Sequence, residues 1–528
     1  MNQKSNLDVA QIWEEYGDMQ KYLTEEKVYD NIKKNEKFVE GNQWDGCDTE
    51  TIVKITMNEL KRIRDYQCAS IASNDIGISI NPMSVAGDIR KISSFISQEI
   101  KKVMEQTGMI KDGRLVVNDA YAAGYEYFLH SFDPDYDTGQ IYKGRIKNQI
   151  VDATQVGFGN PYDKNIQEQP YILIALRQYV ESVRDEARDL GLDEDAVEMI
   201  TTDSDDSNMY EEKDNKLCTV LLRFYKKRVW SEELQKYVRT VHYCKCTKNV
   251  VLIDETDLGY YRYPISCFGW IPKKRSYVYE SPVTANIPAQ IFINKLYTIA
   301  NEYALKGAFP KPIVDKNKID PKKLLDGTGN ALVTANADLL GKFVDFYKSP
   351  DFSNQVLNLI TLTTSELRET MGVNDTVLGN IRPDNAQAIL ATSEITVTPL
   401  KIQLQAWYDF WEDNIRNLID IMTTTYGVRE AYIGDERAEI DWNALKGINF
   451  DLDIDTGTAA QFSEITQFST ISNLLQGGYI DLSEFAELVN NKVIPKATLQ
   501  EVLKKREQAT QTVPQLPQPN GNNGQPIV

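Results

Sequence analysis

Histidine is almost absent from this 528-residue chain, which contains only His130 and His242. Two histidines far apart in sequence cannot supply a multi-histidine metal site within one chain. The six cysteines are too sparse for a disulfide scaffold and indicate reduced, intracellular thiols. No apolar run approaches the ~20 residues that span a bilayer, and Met1 leads into acidic, amphipathic sequence rather than a signal peptide. We therefore expect a soluble protein made in a cytosol, without a membrane partner.

Sequence motifs of common enzymes are missing as well. The chain has no G-x-x-x-x-G-K-[ST] phosphate loop, no G-x-G-x-x-G, no H-E-x-x-H and no G-x-S-x-G. Cys244 and Cys246 are half of a zinc pattern, but no second pair has ligand spacing, so packing is the favoured interpretation. Residues 451–455 begin like a calcium loop, yet Thr456 replaces the required glycine, which favours an alternating strand. We expect no enzyme activity, no metal and no cofactor.

The composition is acidic, with a formal net charge of −19, and 42% of the residues are hydrophobic. That apolar fraction is ample for buried cores. The negative balance argues against a simple nucleic-acid-binding module, because such modules usually display a basic face.

Hydrophobic periodicity predicts an α+β chain over residues 1–280. Polar, acidic residues over 203–214 predict a loop there. Helical patterns occur at 8–40, 57–75, 87–107, 113–123 and 170–200, and strand patterns at 76–82, 126–156 and 217–268.

Residues 281–426 alternate two predicted helices with two non-helical insertions and then continue as one long helix. The first helix stops at Gly307 and the second ends at Gly372. A Lys- and Pro-rich segment separates these helices, and a polar loop leads into the long helix, where Pro399 predicts a kink or a break. Out-and-back helices of this kind suit a ring of subunits around a channel better than a pocket.

This order resembles the portal proteins of tailed bacteriophages: stem helix, clip, stem helix, tunnel loop and spine helix. The segment Phe38-Val39-Glu40-Gly41-Asn42-Gln43-Trp44 is similar to the F-x-x-G-x-Q-W stretch near the start of these proteins. Residues 263–282 resemble the strand that leads into their first stem helix, and residues 373–386 resemble the segment that precedes their spine helix. The resemblance implies an elongated α+β subunit with an α/β wing (1–280), stem helices (281–308 and 351–372), a small β-containing clip (309–350), a tunnel loop (373–387), a long spine helix (388–426), a short helical crown (427–509) and a disordered tail (510–528).

The resemblance also implies a mechanical function. The copies form a ring, a dodecamer, at one capsid vertex of the virion, and double-stranded DNA passes through it during packaging and ejection. The implied partners are other copies of the chain, DNA without sequence specificity, the major capsid protein and scaffold, the terminase large subunit, and adaptor or tail proteins. A strongly acidic conduit would guide a polyanion without holding it, because each lysine–phosphate contact adds affinity.

The tunnel loop and the clip contain the candidate DNA-facing residues. A loop of this length without structure of its own is uncommon unless it is functional, although an ordinary helix connection is the alternative. A basic cluster in the clip faces exiting DNA or binds the motor, unless its lysines are simply solvated. The candidates are Asn380, Arg382, Asn385 and Gln387 for phosphate contact, Gly372 and Gly379 as hinges, and Lys311, Lys316, Lys318, Lys322 and Lys323 as the clip cluster.

Large aromatic side chains are candidates either for the core or for interfaces between subunits. They are Trp13, Phe38, Trp44, Trp407 and Trp411.

Two other interpretations of the whole chain remain. One is another virion component, an adaptor or a capsid protein. The other is a metal-dependent nuclease with Asp203, Asp205 and Asp206 as metal ligands, although nothing pre-organises these carboxylates.

Overall fold

A computed structural model of the chain combines helices with mainly antiparallel sheets, which confirms the predicted α+β class. The structure describes residues 8–44, 53–73, 76–82, 87–137, 139, 143–203, 216–231, 235–308, 311–315, 333–335, 344–347, 354–373, 398–433, 436–446, 450–456, 471–478 and 485.

The described helices are α1 (Val9–Glu25), α2 (Val28–Glu40), α3 (Glu59–Ala72), α4 (Gly87–Gln106), α5 (Met109–Ala123), α6 (Val180–Asp189), α7 (Glu194–Glu198), α8 (Ile287–Ala308), α9 (Asn354–Thr370) and α10 (Lys401–Thr425).

The described strands are β1 (Ile76–Pro82), β2 (Tyr125–Asp133), β3 (Arg145–Val151), β4 (Val156–Phe158), β5 (Tyr171–Tyr179), β6 (Leu217–Ser231), β7 (Lys236–Cys246), β8 (Val251–Asp257), β9 (Ile265–Gly269), β10 (Ile271–Pro272), β11 (Tyr279–Glu280), β12 (Lys311–Asp315), β13 (Val333–Ala335), β14 (Val344–Tyr347), β15 (Val428–Ile433), β16 (Glu436–Asp441) and β17 (Phe450–Thr456).

The N-terminal helical pattern over 8–40 forms two helices rather than the single one predicted. Asp8 caps α1 by accepting a hydrogen bond from the Gln11 N–H (3.3 Å). Lys27 then adopts a left-handed conformation with φ of 58°, which ends the first helix and redirects the chain into α2. The break lets both helices bury apolar side chains, because each turns its own stripe toward the rest of the fold.

The largest sheet is antiparallel, with strand order β4-β5-β6-β7-β8, and it corrects the helix predicted over 170–200. Residues 171–179 are strand β5, and α6 begins only at Val180. Helix α1 packs against one face through Ile12, while α6 and α7 pack against the other. Because both faces are covered, β5 reads as a continuous apolar run, and such a run has no two-residue alternation to distinguish it from a helix.

Cys244 and Cys246 lie in the core on the α1 side of this sheet, next to Leu173. Burial raises the pKa of the Cys244 thiol to about 11 and that of Cys246 to about 12. Both thiols therefore stay protonated at neutral pH, which suits packing rather than nucleophilic chemistry.

Helix α10 packs against a second antiparallel sheet, ordered β3-β2-β9. Trp407 and Trp411 are buried, and a Cβ added at Gly113 of α5 would lie 2.8 Å from the Trp411 ring. The Asn414 side chain accepts hydrogen bonds from His130 Nε2 (2.6 Å) and Ser266 Oγ (2.7 Å). Burial lowers the pKa of His130 to about 4, so this histidine is a neutral core residue at physiological pH.

The long helix predicted over 388–426 is described from residue 398 onward. A 3₁₀ turn at Thr398–Leu400 contains Pro399, and α10 begins immediately after it at Lys401. The described helix has 25 residues, or ~38 Å at ~1.5 Å per residue.

A small sheet ordered β13-β12-β14 lies within residues 309–350. Some β structure was expected in this range, although Pro312, which is part of β12, is unfavourable within a strand. Pairing with β13 begins only at Ile313, so no hydrogen bond to β13 is required from the residue that lacks an N–H.

The chain divides into two compact units, 1–73 with 78–454, and 74–77 with 455–528. In the second unit the structure describes only 76–77, 455–456, 471–478 and 485. Among the residues that the structure describes, no helix is both long enough and apolar enough to cross a membrane.

Candidate functional site at the bases of helices α8 and α9

Most of the predicted DNA-facing residues lie outside the described part of the chain. Of the two glycine hinges, Gly372 is described and Gly379 is not. Lys311 lies in β12, for which the structure describes the backbone only. The residues outside the description are Asn380, Arg382, Asn385, Gln387, Lys316, Lys318, Lys322 and Lys323.

Gly372 ends helix α9 with a left-handed C-cap. Its φ is 73°, its N–H donates to Glu369 O (2.9 Å), and Val373 N donates to Arg368 O (2.8 Å). A Cβ at Gly372 would lie 2.8 Å from Cβ of Pro399. The end of α9 therefore lies next to the turn that precedes α10.

Two polar anchors hold the end of α9. Arg368 Nε and Nη2 both donate to Glu59 Oε2 of α3, at 3.1 and 2.9 Å, and both side chains are about 15% exposed. Gln67 Nε2 donates to the Met371 carbonyl (2.6 Å), while Gln67 Oε1 accepts from the Tyr121 hydroxyl Oη (2.9 Å). These bonds fix the point from which the 374–397 segment departs.

The F-x-x-G-x-Q-W segment forms a corresponding anchor for α8. Gln43 Nε2 donates to the Phe38 carbonyl (2.7 Å), and Gln43 Oε1 accepts from Asn294 Nδ2 (2.6 Å). Asn294 Oδ1 in turn accepts from Met57 N (3.0 Å) and Gln290 Nε2 (3.1 Å). This segment is similar to a family signature in sequence, but its role as a polar clamp on α8 depends on contacts between residues more than 230 positions apart.

Helices α8 and α9 pack together and still leave apolar side chains exposed. Phe292 and Ile299 lie two turns apart on one face of α8, and Ile299 is 55% exposed. Leu359 and Leu362 are neighbours on α9, and Leu362 is 55% exposed. The apolar side chains of these helices are therefore only partly buried within one chain, and the exposed ones are available to a partner.

A cavity of about 500 Å³ between α2 and α8, which the sequence did not predict, is lined by four lysines, the carboxylate of Asp30 and the two aromatic side chains Phe38 and Trp44. Three of the four lysines form a local run in α2, and only the fourth, from α8, is distant from them in sequence. They are Lys33, Lys34, Lys37 and Lys295, around Trp44.

Strand β2 contains a buried carboxyl group. Glu126 is 4% exposed, and its Oε2 has no hydrogen-bond partner among the described residues. Burial raises the pKa of Glu126 well above its usual value, and the negative charges of Asp152 and Asp119 raise it further, while the Ala153 N–H lowers it. This group binds a proton more tightly in the folded chain than in the unfolded one.

The aromatic candidates divide between core and partly exposed positions. Phe38, Trp407 and Trp411 are buried. Trp13 and Trp44 are half-buried, and their indole nitrogens donate to Thr247 O and Ile55 O, each at 3.2 Å.

The carboxylates considered for a nuclease are not assembled in the described part of the chain. Asp203 forms an ion pair with Arg177 and accepts from Thr219 N (3.0 Å), while Asp205 and Asp206 lie outside the description. No group of three or more His, Cys, Asp or Glu side chains suitable for a metal occurs among the described residues. The described geometry gives no support to that alternative.

An α+β chain with anchored helix ends and open apolar helix faces has the features of a subunit built to assemble with others. A model of the phage P22-like portal protein family matches residues 19–526, nearly the whole chain, and the chain belongs to this family. The resemblance inferred from the order of segments is confirmed, and the chain is a bacteriophage portal protein, a head–tail connector. No individual curated protein matches it.

Proposed function

We propose that this chain is one subunit of a ring at a single capsid vertex, and that double-stranded DNA passes through the ring during packaging and ejection. Membership of the portal family supports a ring-forming oligomer that interacts with capsid, terminase and tail. The observation that carries the proposal is the exposed apolar face of the α8–α9 pair. In a ring, each copy would cover part of that face on the next copy, which removes the apolar surface from water.

In this proposal α8 and α9 are the stem helices, residues 309–350 are the clip and the 373–387 loop reaches toward the channel. Arg382, Asn385 and their neighbours Asn380 and Gln387 contact phosphates transiently, without reading sequence. The clip lysines face exiting DNA or the motor. The contact between Gly372 and Pro399 supports a chain segment that leaves α9 and returns to α10 at neighbouring points. The location is the portal vertex of the virion, and synthesis is in the host cytoplasm.

The proposal predicts the symmetry and shape of the purified particle. Electron microscopy should show a closed ring, which we expect to be a dodecamer, with a channel wide enough for duplex DNA. A closed particle without a channel would refute the conduit.

A matched pair of variants tests the stem interface. Leu362→Glu places a charge on the exposed apolar face and should prevent ring closure. Leu115→Glu makes the same substitution at an exposed leucine of α5, outside the α8–α9 pair, and should leave the ring intact. Rings of normal symmetry from L362E would exclude this face from the subunit interface.

Shortening the loop tests the DNA contact separately. A variant that lacks residues 376–384 but still forms rings should package DNA poorly or lose it. Normal packaging and retention by such rings would remove the loop from the mechanism.

A further inference from the structure

The β6–β7 hairpin extends beyond the sheet that contains it. Pairing between β5 and β6 stops at Tyr225, and pairing between β7 and β8 begins at His242. The two strands nevertheless continue to pair as far as Ser231 and Lys236. Residues 227–231 and 236–240, here called the arm, therefore form a two-stranded ribbon without a third strand in the described part of the chain. An isolated ribbon is marginally stable in water.

One face of the arm combines aromatic and cationic side chains. Trp230 and Tyr237 are opposite each other, with ring centroids 5.1 Å apart in an edge-to-face arrangement, and they are 46% and 70% exposed. Two residues along each strand, on the same face, Arg228 is directly opposite Arg239. Neither arginine forms an ion pair with a carboxylate among the described residues, and like charges directly opposite each other destabilise a hairpin.

The opposite end of the same sheet is acidic. Helix α6 follows Tyr179, which pairs with Leu217, the first residue of β6, whereas the arm is at the other end of that strand. About 13 residues of strand separate the two ends, or roughly 40 Å at ~3.3 Å per residue. Residues 180–198 contain the arginines Arg184 and Arg188 and the carboxylates Glu181, Asp185, Glu186, Asp189, Asp193, Glu194, Asp195 and Glu198.

Exposed apolar side chains lie among these acids. Leu190 is 47% exposed and Met199 is 55% exposed. Asp189, Asp195 and Glu198 are exposed and have no ion-pair partner in the part of the chain that is described. Residues 189–199, here called the acidic face, therefore offer carboxylates beside apolar contacts, which complements the arginines and aromatic rings of the arm.

We propose that the arm of one copy docks on the acidic face of a second copy, in a head-to-tail contact that rests on the proposed ring. The two surfaces lie at opposite ends of one sheet, so the arm cannot reach the acidic face of its own chain. Complementary surfaces that differ from each other make a heterologous interface, which closes into a ring when the rotation permits. Trp230 and Tyr237 pack against Met199 and Leu190, and the arginines neutralise the unpaired carboxylates.

Arginine and aromatic side chains also suit nucleic acid, but the chain itself contains a surface that matches both components of the arm. A second copy is the occupant that this complementarity favours, and DNA binding is an outcome that the test separates.

The test combines charge reversal with charge exchange in the full-length chain. R228E/R239E keeps a like-charged cross-strand pair, so the arm should fold as before while self-association weakens about tenfold. D189K/D195K should have a similar effect. Mixing these two double variants should restore association. The acidic arm of R228E/R239E then meets the basic face of D189K/D195K, and the unchanged arm and face of the two variants also match. The control is K101E/K111E, which makes the same change in net charge as R228E/R239E at exposed positions outside both surfaces.

Photo-crosslinking locates the contact directly. A photoreactive phenylalanine analogue at position 237 should crosslink to residues 189–199, and a mixture of isotopically light and heavy chains should give mixed-mass products. The single variant R228E sharpens the result, because it makes an attractive cross-strand pair that stabilises the arm while it weakens docking.

Several results would overturn the arm contact. The first is unchanged self-association of R228E/R239E, and the second is crosslinking from position 237 only to regions other than 189–199. The third is a wild-type chain that stays monomeric at the highest concentration tested. The fourth is an R228E/R239E variant that loses DNA binding but self-associates normally. The arm contact fails alone if R228E/R239E forms normal rings with a channel. The proposed function fails instead if wild-type particles have no channel while position 237 still crosslinks to the acidic face.

Discussion

Replacement of Asn294 by leucine tests the polar clamp that joins the F-x-x-G-x-Q-W segment to helix α8. Leucine has a similar shape but cannot form hydrogen bonds. The wild-type side chain is 2% exposed and bonds to Gln43, Met57 and Gln290. In the variant, Gln43 Oε1 and the Met57 N–H lose these partners, whereas Gln290 Nε2 keeps its bond to the Met57 carbonyl (2.6 Å).

The expected cost follows from these two orphaned groups. A buried donor or acceptor left without a partner costs ~1–3 kcal/mol, so Asn294→Leu should destabilise the clamp by ~2–6 kcal/mol. The loss should be local, because a chain of this size opens in parts rather than all at once.

Hydrogen exchange followed by mass spectrometry is the appropriate assay. Peptides covering residues 38–60 and 287–299 should exchange faster in N294L by a factor of at least about 30, the rate equivalent of ~2 kcal/mol. The control is Asn301→Leu, in the same helix but without a described side-chain hydrogen bond. Equal exchange in N294L and N301L would refute the clamp, and acceleration spread evenly over the chain would refute its local character.

Three further predictions concern α9 and the buried carboxyl. Gly372→Ala should lower the stability of the α9 C-terminus by ~1–2 kcal/mol because of the left-handed backbone, and by more because the new Cβ contacts Pro399. Hydrogen exchange of the Val373 amide should therefore accelerate, and an unchanged exchange rate would show that the C-cap is dispensable. Arg368→Met leaves the Glu59 carboxylate without its guanidinium partner and should lower the free energy of unfolding by ~2–4 kcal/mol. The double variant with Glu59→Leu should recover part of that loss. If the effects of the two substitutions on the free energy of unfolding simply add, the two side chains do not interact. Because the pKa of Glu126 is raised on folding, its contribution to stability is fully present below the ordinary carboxyl pKa and is lost as pH rises through the folded value. The thermal unfolding midpoint of the wild type should fall between pH 5 and pH 8, and Glu126→Gln should make that fall smaller. The same pH dependence in both proteins would show that Glu126 does not cause it.

Periodicity located most of the described helices and strands because each has one face in the core. It failed where that condition does not hold. Strand β5 is covered on both sides, so its apolar run lacks alternation and was taken for part of a helix. The turn at Lys27 has no glycine or proline, and the continuous amphipathic pattern across it predicted one helix instead of two.

At the candidate site, too, some features were predictable from the sequence and others depend on tertiary contacts. The order of segments and the F-x-x-G-x-Q-W stretch were sufficient to indicate the portal family, and the predicted loop residues from Asn380 to Gln387 remain predictions. Contacts such as Gln43 with Asn294 or Arg368 with Glu59 join residues far apart in the chain, and no local pattern specifies the partner of a polar side chain.

The sequence by itself determined the composition limits, the local helical and extended segments, and the family, because these depend on residue type, spacing and order along the chain. Tertiary structure alone decided that Gly372 at the end of α9 meets Pro399 before α10, that α8 and the end of α9 are held by buried polar contacts, and that the arm and the acidic face lie at opposite ends of one sheet. The physical reason is that packing brings distant residues together through burial and hydrogen bonding, and these interactions have a range in space rather than in sequence.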